Sequence, residues 1–255
     1  MRKKHKPMRF LPIIGFLFLF ISCKQEEKQL TAQQIIDKTI ENAGGDKYDK
    51  AKIEFTFRKN KYTSERKNGL YKLTRTINDS FGETFDVLTN SSFERQVDGV
   101  KVSLSDSLSN LYSNSVNSVH YFVQLPYGLN DEAVNKKLVG EAEIKGKKYY
   151  EIEVTFAQEG GGEDHEDIYM YWINKDDFTT DYLAYKFYTG KGGIRFREAF
   201  NPSFVKGIRF VDYKNYKAEP WENVDMKSLD ELFTEGKLEL LSEIITQDIS
   251  VDIIE

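Results

Sequence analysis

The sequence predicts an α+β fold: an antiparallel β meander forming a curved sheet or incomplete barrel, with an N-terminal helix and short lid helices. Three observations carry this prediction. Asn68-Gly69, Asp98-Gly99, Lys145-Gly146, Lys191-Gly192-Gly193 and Lys206-Gly207 recur along the chain as tight-turn signals, because the central residues of a type I′ hairpin need positive φ. Between them apolar and polar residues alternate with period two, as strands with one buried face require. Helical periodicity is confined to the front of the chain and two short interruptions. That pattern excludes a regular βαβ alternation, and with it a parallel α/β sheet or a (β/α)₈ barrel.

In chain order, residues 1–22 read as a lipoprotein signal peptide. Arg2, Lys3, Lys4, Lys6 and Arg9 hold the amino end on the cytoplasmic side. The apolar run at residues 10–21 contains Pro12 and Gly15 and is too short for a permanent span of about 20 residues. Phe20-Ile21-Ser22-Cys23 resembles a bacterial lipobox, in which a small residue precedes the cysteine whose thiolate accepts a diacylglycerol; Phe20 stands where leucine is usual. Cys23 is the one cysteine of the chain and the predicted lipidation site. Each acyl CH₂ buried in a membrane contributes about 0.8 kcal/mol, so two or three chains anchor stably.

Residues 23–29 form the acylated cysteine and a polar tether that reaches at most about 25 Å. Lys24 replaces the aspartate that marks inner-membrane retention. Lys24-Gln25-Glu26-Glu27 is similar to the surface-export signal of Bacteroidota lipoproteins, a plain solvated tether being the alternative. The predicted location is the cell envelope, lipid-anchored at the outer membrane, on its periplasmic or its exposed face. Residues 1–22 carry five basic residues and no acidic one, so their removal takes the net charge from −5 to −10.

Residues 30–255 read as a single antiparallel β domain. Thr31-Ala32-Gln33-Gln34 is a capping box, Leu30 and Ile35 are placed as a hydrophobic staple, and Ile36, Ile40 and Ala43 continue an apolar stripe that Gly44-Gly45 ends. Ile53, Phe55 and Phe57 then alternate with polar residues, as do Tyr71, Leu73, Arg75 and Ile77. Further strands are predicted at 93–97, 100–104, 141–144, 147–156, 182–188, 194–200 and 208–216. Residues 105–135, rich in serine and asparagine, predict a loop with a short helix ending near Pro126, lying as a lid over one sheet face. Residues 225–242 predict one or two helical turns with a core stripe, and Ile249, Val251 and Ile253 a final strand closing the sheet.

Composition narrows the functional classes. With 30% charged residues, 18 Phe and 15 Tyr, the chain is neither a multi-span membrane protein nor disordered. One cysteine excludes an intrachain disulfide and a multi-cysteine zinc site. The negative charge opposes general nucleic-acid binding. The acidic stretch at 160–167 lacks EF-hand spacing and a following Gly-Lys-Ser/Thr, and reads as a solvated hairpin loop. His120 precedes an apolar run and reads as a packing residue, and no Gly-x-Ser-x-Gly elbow occurs. No catalytic residue, metal site or cofactor is predicted, and the chain is not read as an enzyme, although carboxylate pairs stay open at this stage. Arg195, Arg197 and Arg209 stand among Phe196, Phe200 and Phe210. Pointing inward they would hold an anionic head group beside an apolar pocket; pointing outward they would be edge charges against aggregation.

An N-terminal helix followed by a long meander with a helical lid, on a lipobox-bearing chain, resembles the LolA/LppX-type lipoprotein-carrier fold. In that fold a curved, incomplete barrel wraps a hydrophobic cavity covered by helices. Residues 36–45, 119–126, 167–173, 195–197 and 212–216 are similar to stretches of Bacteroidota lipoproteins with this architecture. The resemblance covers nearly all of residues 30–255, but its motifs are aromatic strand patterns, so it implies a fold and no functional residue carries over. It implies a membrane-anchored protein that binds a hydrophobic small molecule or an acyl-chain lipid. Tyr121, Phe122, Leu125, Trp172, Phe196, Arg197 and Phe210 are the candidate ligand-binding residues. A scaffold or interaction lipoprotein without a cavity ligand, and an enzyme with an unrecognised site, are the alternatives.

Overall fold

The computed structural model of the protein describes Met1 and residues 29–159 and 166–254. Residues 2–22 of the predicted signal peptide, Cys23 and residues 160–165 of the acidic loop lie outside the described residues. The chain runs α1 (Ala32–Ala43), β1 (Ala51–Phe57), β2 (Asn60–Lys67), β3 (Leu70–Asp79), β4 (Gly82–Thr89), β5 (Phe93–Val97) and β6 (Val100–Lys101). It continues through α2 (Asp106–Val123), β7 (Val134–Ile144), β8 (Lys147–Phe156), β9 (Ile168–Asn174), β10 (Thr180–Phe187), β11 (Gly193–Val205) and β12 (Ile208–Lys217). A 3₁₀ turn, Met226–Ser228, leads into α3 (Leu229–Thr234), and β13 (Glu239–Ile244) and β14 (Gln247–Ile253) finish the fold.

Two seven-stranded antiparallel sheets result, in the orders β14-β1-β2-β3-β4-β5-β6 and β13-β12-β11-β10-β9-β8-β7. Only Ile245 and Thr246 separate β13 from β14, so the sheets are joined at that edge, and α2 connects their far edges, β6 and β7. The predicted tail strand does close a sheet, by pairing with β1. The barrel is incomplete, as expected. Bulges at Leu138/Gly140 and Phe200/Ser203 add bend to the second sheet. Among the described residues no helix is long and apolar enough to cross a membrane.

The local signals work as the sequence suggests. Thr31 Oγ1 accepts from the Gln34 amide at 3.2 Å while Gln34 Oε1 accepts from the Thr31 amide at 3.0 Å, a reciprocal cap on α1. Asn68 and Gly69 hold φ of 52° and 77°, the left-handed pair of a type I′ turn. Arg58 and Lys59 make the same kind of turn, with φ of 49° and 70°, without any glycine to announce it.

Two elements differ from expectation. The segment predicted as a loop with a short helix is an 18-residue helix, α2, which does not lie over one sheet face but sits between the two sheets. Its serines and asparagines have weak helical propensity, which hides it from a local reading. The second difference is at 225–242, where the helical turns stop at Thr234 and Gly236 reverses the chain with φ of 71°. Leu240 and Leu241 then lie exposed on the edge strand β13 rather than in a core stripe.

Tertiary contacts supply what α2 lacks in propensity. Phe55, Tyr62, Arg75, Asp86 and Arg95 stand in register across β1 to β5, one row on one face of the first sheet. Asp86 is fully buried; Arg75 Nη2 and Arg95 Nε each approach it to 2.7 Å. The helix lies along this row. Tyr112 faces the Arg95 guanidinium at 3.5 Å, Ser115 Oγ accepts from Arg75 Nη1 at 2.8 Å, and His120 packs edge-on against Phe55 and Tyr62. The spacing 112, 115, 120 follows one helical face.

His120 is 1% exposed. Its Nε2 lies 3.0 Å from the Thr74 carbonyl and its Nδ1 lies 3.3 Å from Gln124 Nε2, so the neutral ring donates from Nε2 and accepts at Nδ1. Burial pushes its pKa down to about 4, against the pull of the Thr74 carbonyl and with help from Arg66 and Arg75.

Two outcomes follow from this interface. Asp86→Asn leaves the buried Arg75 and the part-buried Arg95 without a counter-charge and is expected to cost about 3–5 kcal/mol. Urea unfolding of the variant reads this directly, and a loss under about 1 kcal/mol would mean that the triad is effectively solvated. Acid sensitivity is the second. Between pH of about 6.5 and 4 an unfolded chain protonates His120 and the native chain does not. The stability from neutral His120 is therefore complete above about 6.5 and falls with pH, by up to about 3 kcal/mol. His120→Gln should flatten that dependence of the urea midpoint; an unchanged slope would assign it to other groups.

Candidate functional site

The second sheet is covered on both faces, so burial along β9 is continuous rather than alternating. On its inner face Ile152, Tyr171, Leu183 and Arg197 stand in one cross-strand row, with Val154, Tyr169, Tyr185 and Arg195 in the neighbouring row. This face meets α2. The Tyr121 and Tyr171 hydroxyls lie 2.8 Å apart, and the Phe122 ring lies 5.4 Å from that of Tyr185. Burial holds both phenols, Tyr121 and Tyr171, well above their usual pKa. They therefore act as neutral hydrogen-bonding groups.

Two clefts flank the helix where it fails to fill the interior. One, of about 440 Å³, opens between α2 and the second sheet; its walls include Phe57, Val119, Phe122, Tyr185, Phe187 and Arg197. The other, of about 580 Å³, lies toward the β2–β3 hairpin and includes Arg66, Tyr71, His120, Tyr121, Tyr127 and Asp131. In this second cleft the Arg66 guanidinium sits 4.7 Å from the Tyr127 ring and 5.6 Å from that of Tyr71. Burial lowers the Arg66 pKa and raises that of Asp131, while each group's charge pulls the other back. The interior is thus neither an open barrel nor a wholly filled core.

The candidate residues divide among these places. Phe122 and Arg197 meet in the first cleft, the Arg197 guanidinium lying 3.9 Å from the centre of the Phe122 ring. Tyr121 lines the second cleft. Leu125 is packed with Ile35, Ile36 and Leu129 in the core under α1. Trp172 and Phe196 face the other way, because neighbouring residues of a strand point to opposite faces, and they are sealed with Met226, Leu229 and Phe233 beneath α3. Phe210 belongs to a third cluster with Tyr48, Phe55 and Val251.

Arg195 and Arg197 point inward on β11, a central strand, so they are not edge charges. Arg209 lies 3.9 Å from Asp181 instead. The wall residues Phe57, Tyr185 and Phe187 were missing from the candidates. Strand alternation does place Tyr185 and Phe187 on one face, but which face meets α2 is not a local property. A buried carboxylate pair also emerges, Glu151 and Asp230, where α3 covers the outer face. Burial raises both pKa values, and Glu151 accepts from Trp172 Nε1 at 3.2 Å. Neither lines either cleft.

Residues 9–246 match the model of a family described as a family of unknown function, DUF6503. No curated protein matches the chain in sequence. Among solved structures, a LolA superfamily protein from Nitrosomonas europaea is similar at 15% identity and a TM-score of 0.49, over 89% of this chain and 95% of that one. A DUF1329 family protein from Desulfovibrio piger is similar at 12% identity and a TM-score of 0.43, over 88% and 94%. At this level of likeness neither ligand nor partner carries over.

Proposed function

The chain belongs to the DUF6503 family, and we propose that it is a lipid-anchored envelope protein that binds a hydrophobic, acyl-chain-like ligand between α2 and the second sheet. The aromatic cleft carries this reading. Phe122, Tyr185, Phe187 and Phe57 turn apolar rings toward a space of about 440 Å³ that no side chain of the described residues fills, a size and lining suited to a small ligand. Polar side chains, Arg195 and Arg197 among them, share the lining with these rings, so apolar burial, about 25 cal/mol per Å², would supply one part of the binding free energy and polar contacts the other. Cys23 supplies the anchor in this reading, and the short tether keeps the domain near the lipid from which such a ligand would come.

The two halves of the proposal are tested separately. Native mass spectrometry of the chain purified without detergent should find an acyl-bearing mass at one per chain. Ser118 is exposed at the cleft rim, so Ser118→Trp should obstruct entry, lowering affinity for a fluorescent fatty acid at least tenfold, about 1.4 kcal/mol, with an unchanged melting temperature. Binding that is indifferent to this change would place the ligand elsewhere. For the anchor, metabolic labelling with an alkyne fatty acid should mark the chain and be abolished by Cys23→Ser. Labelling that survives the substitution would overturn the lipobox reading.

A further inference from the structure

Among the described residues, the walls of the first cleft carry more guanidiniums than carboxylates. Arg195 and Arg197 stand two residues apart on β11 and share the inner face. Arg197 is 7% exposed. Its Nη2 donates to the Tyr185 hydroxyl at 3.1 Å, and among the described residues its Nε has no hydrogen-bond partner. Arg195 donates from Nη1 to the carbonyl of its neighbour Ile194 at 2.9 Å and lies 5.1 Å from the Phe187 ring centre. Among the described residues neither takes part in an ion pair. Arg58 adds a third guanidinium to the cleft and Asp167 the one carboxylate, itself already engaged.

Arg75 and Arg209, the described arginines of comparable burial, are treated differently, whereas the half-buried Arg66 of the second cleft shares the unpartnered Nε. Arg75 has Asp86 at 2.7 Å, and Arg209 has Asp181 at 3.9 Å. Removing a guanidinium from water without a counter-charge is costly, and the faces of Phe122 and Tyr185 recover only part of the loss. The unpartnered Nε–H shows that the described walls do not fully compensate a guanidinium that borders an open aromatic space. The forked guanidinium suits two oxygens of one anionic group.

We infer that the cleft selects anionic amphiphiles, with a carboxylate or phosphate monoester at Arg197 and Arg195 and the apolar tail against Phe122, Tyr185 and Phe187. The inference rests on the cleft being the ligand site. A ligand of this class would lie with its head at β11 and its tail along α2.

The test is isothermal titration of the full chain carrying Cys23→Ser with decanoate, decyl phosphate, decanol and inorganic phosphate at neutral pH. Decanoate and decyl phosphate are expected to bind at least tenfold more tightly than decanol. That preference should fall below threefold in Arg197→Met. The half-buried Arg195→Gln, which disturbs the core less, should also reduce it. Decanol binding as tightly as decanoate would overturn the inference and leave an apolar cleft site standing. Inorganic phosphate binding as tightly as decyl phosphate would overturn it in favour of a free anion. Failure of all four probes to bind would overturn the cleft reading and the inference together.

Discussion

A single carboxylate, Asp86, lies between two guanidiniums in a cross-strand row, and the position of α2 depends on that row. Without it, Arg75 and Arg95 would repel one another on a face that must be buried. With it, they become a partly neutralised platform on which Tyr112 and Ser115 land, while His120 continues the contact over Phe55 and Tyr62. Once α2 is fixed there, its opposite side must meet the second sheet. Tyr121 and Phe122 consequently face Tyr171 and Tyr185, and the clefts are what the helix leaves unfilled. The site is a by-product of how one helix is held.

The same physics explains why the arginines of this protein fall into two kinds. Arg75 and Arg95 are satisfied by charge and serve the fold. Arg197 is as deeply buried as Arg75, yet it is satisfied only by a phenol and by ring faces. Burial with compensation is architecture; burial beside open space without compensation is a capacity to bind. His120 shows a further use of burial, which holds its ring neutral so that it packs without demanding a counter-ion.

Parity along a strand decided the fate of the aromatic candidates. Trp172 and Phe196 each stand one residue from a residue of the inner face, Tyr171 and Arg197. That single step sends them to the opposite side of the sheet, into a sealed core beneath α3. Composition marks all of them as large and aromatic. Only knowledge of which face carries α2 separates a cleft wall from a filled core, and this information belongs to the partner element rather than to the strand.

The sequence by itself determined the α1 cap and the glycine-marked hairpins, and through them the antiparallel order, because each depends on φ/ψ preferences or contacts within a few residues; the strand period of the tail is equally local, but its pairing with β1 is not. It also contained both the arginines and the phenylalanine that meet in the cleft. The tertiary structure alone decided three things. It extended the short helix expected before Pro126 to 18 residues and set it between the sheets, and it supplied that helix with the Arg75–Asp86–Arg95 platform from strands many residues away. It turned Arg195 and Arg197 inward, where one of them is buried with a donor left over. Helical propensity and strand period are local energies, whereas the position of α2 and the charge of its cleft arise from pairings across long loops, which no window of sequence can contain.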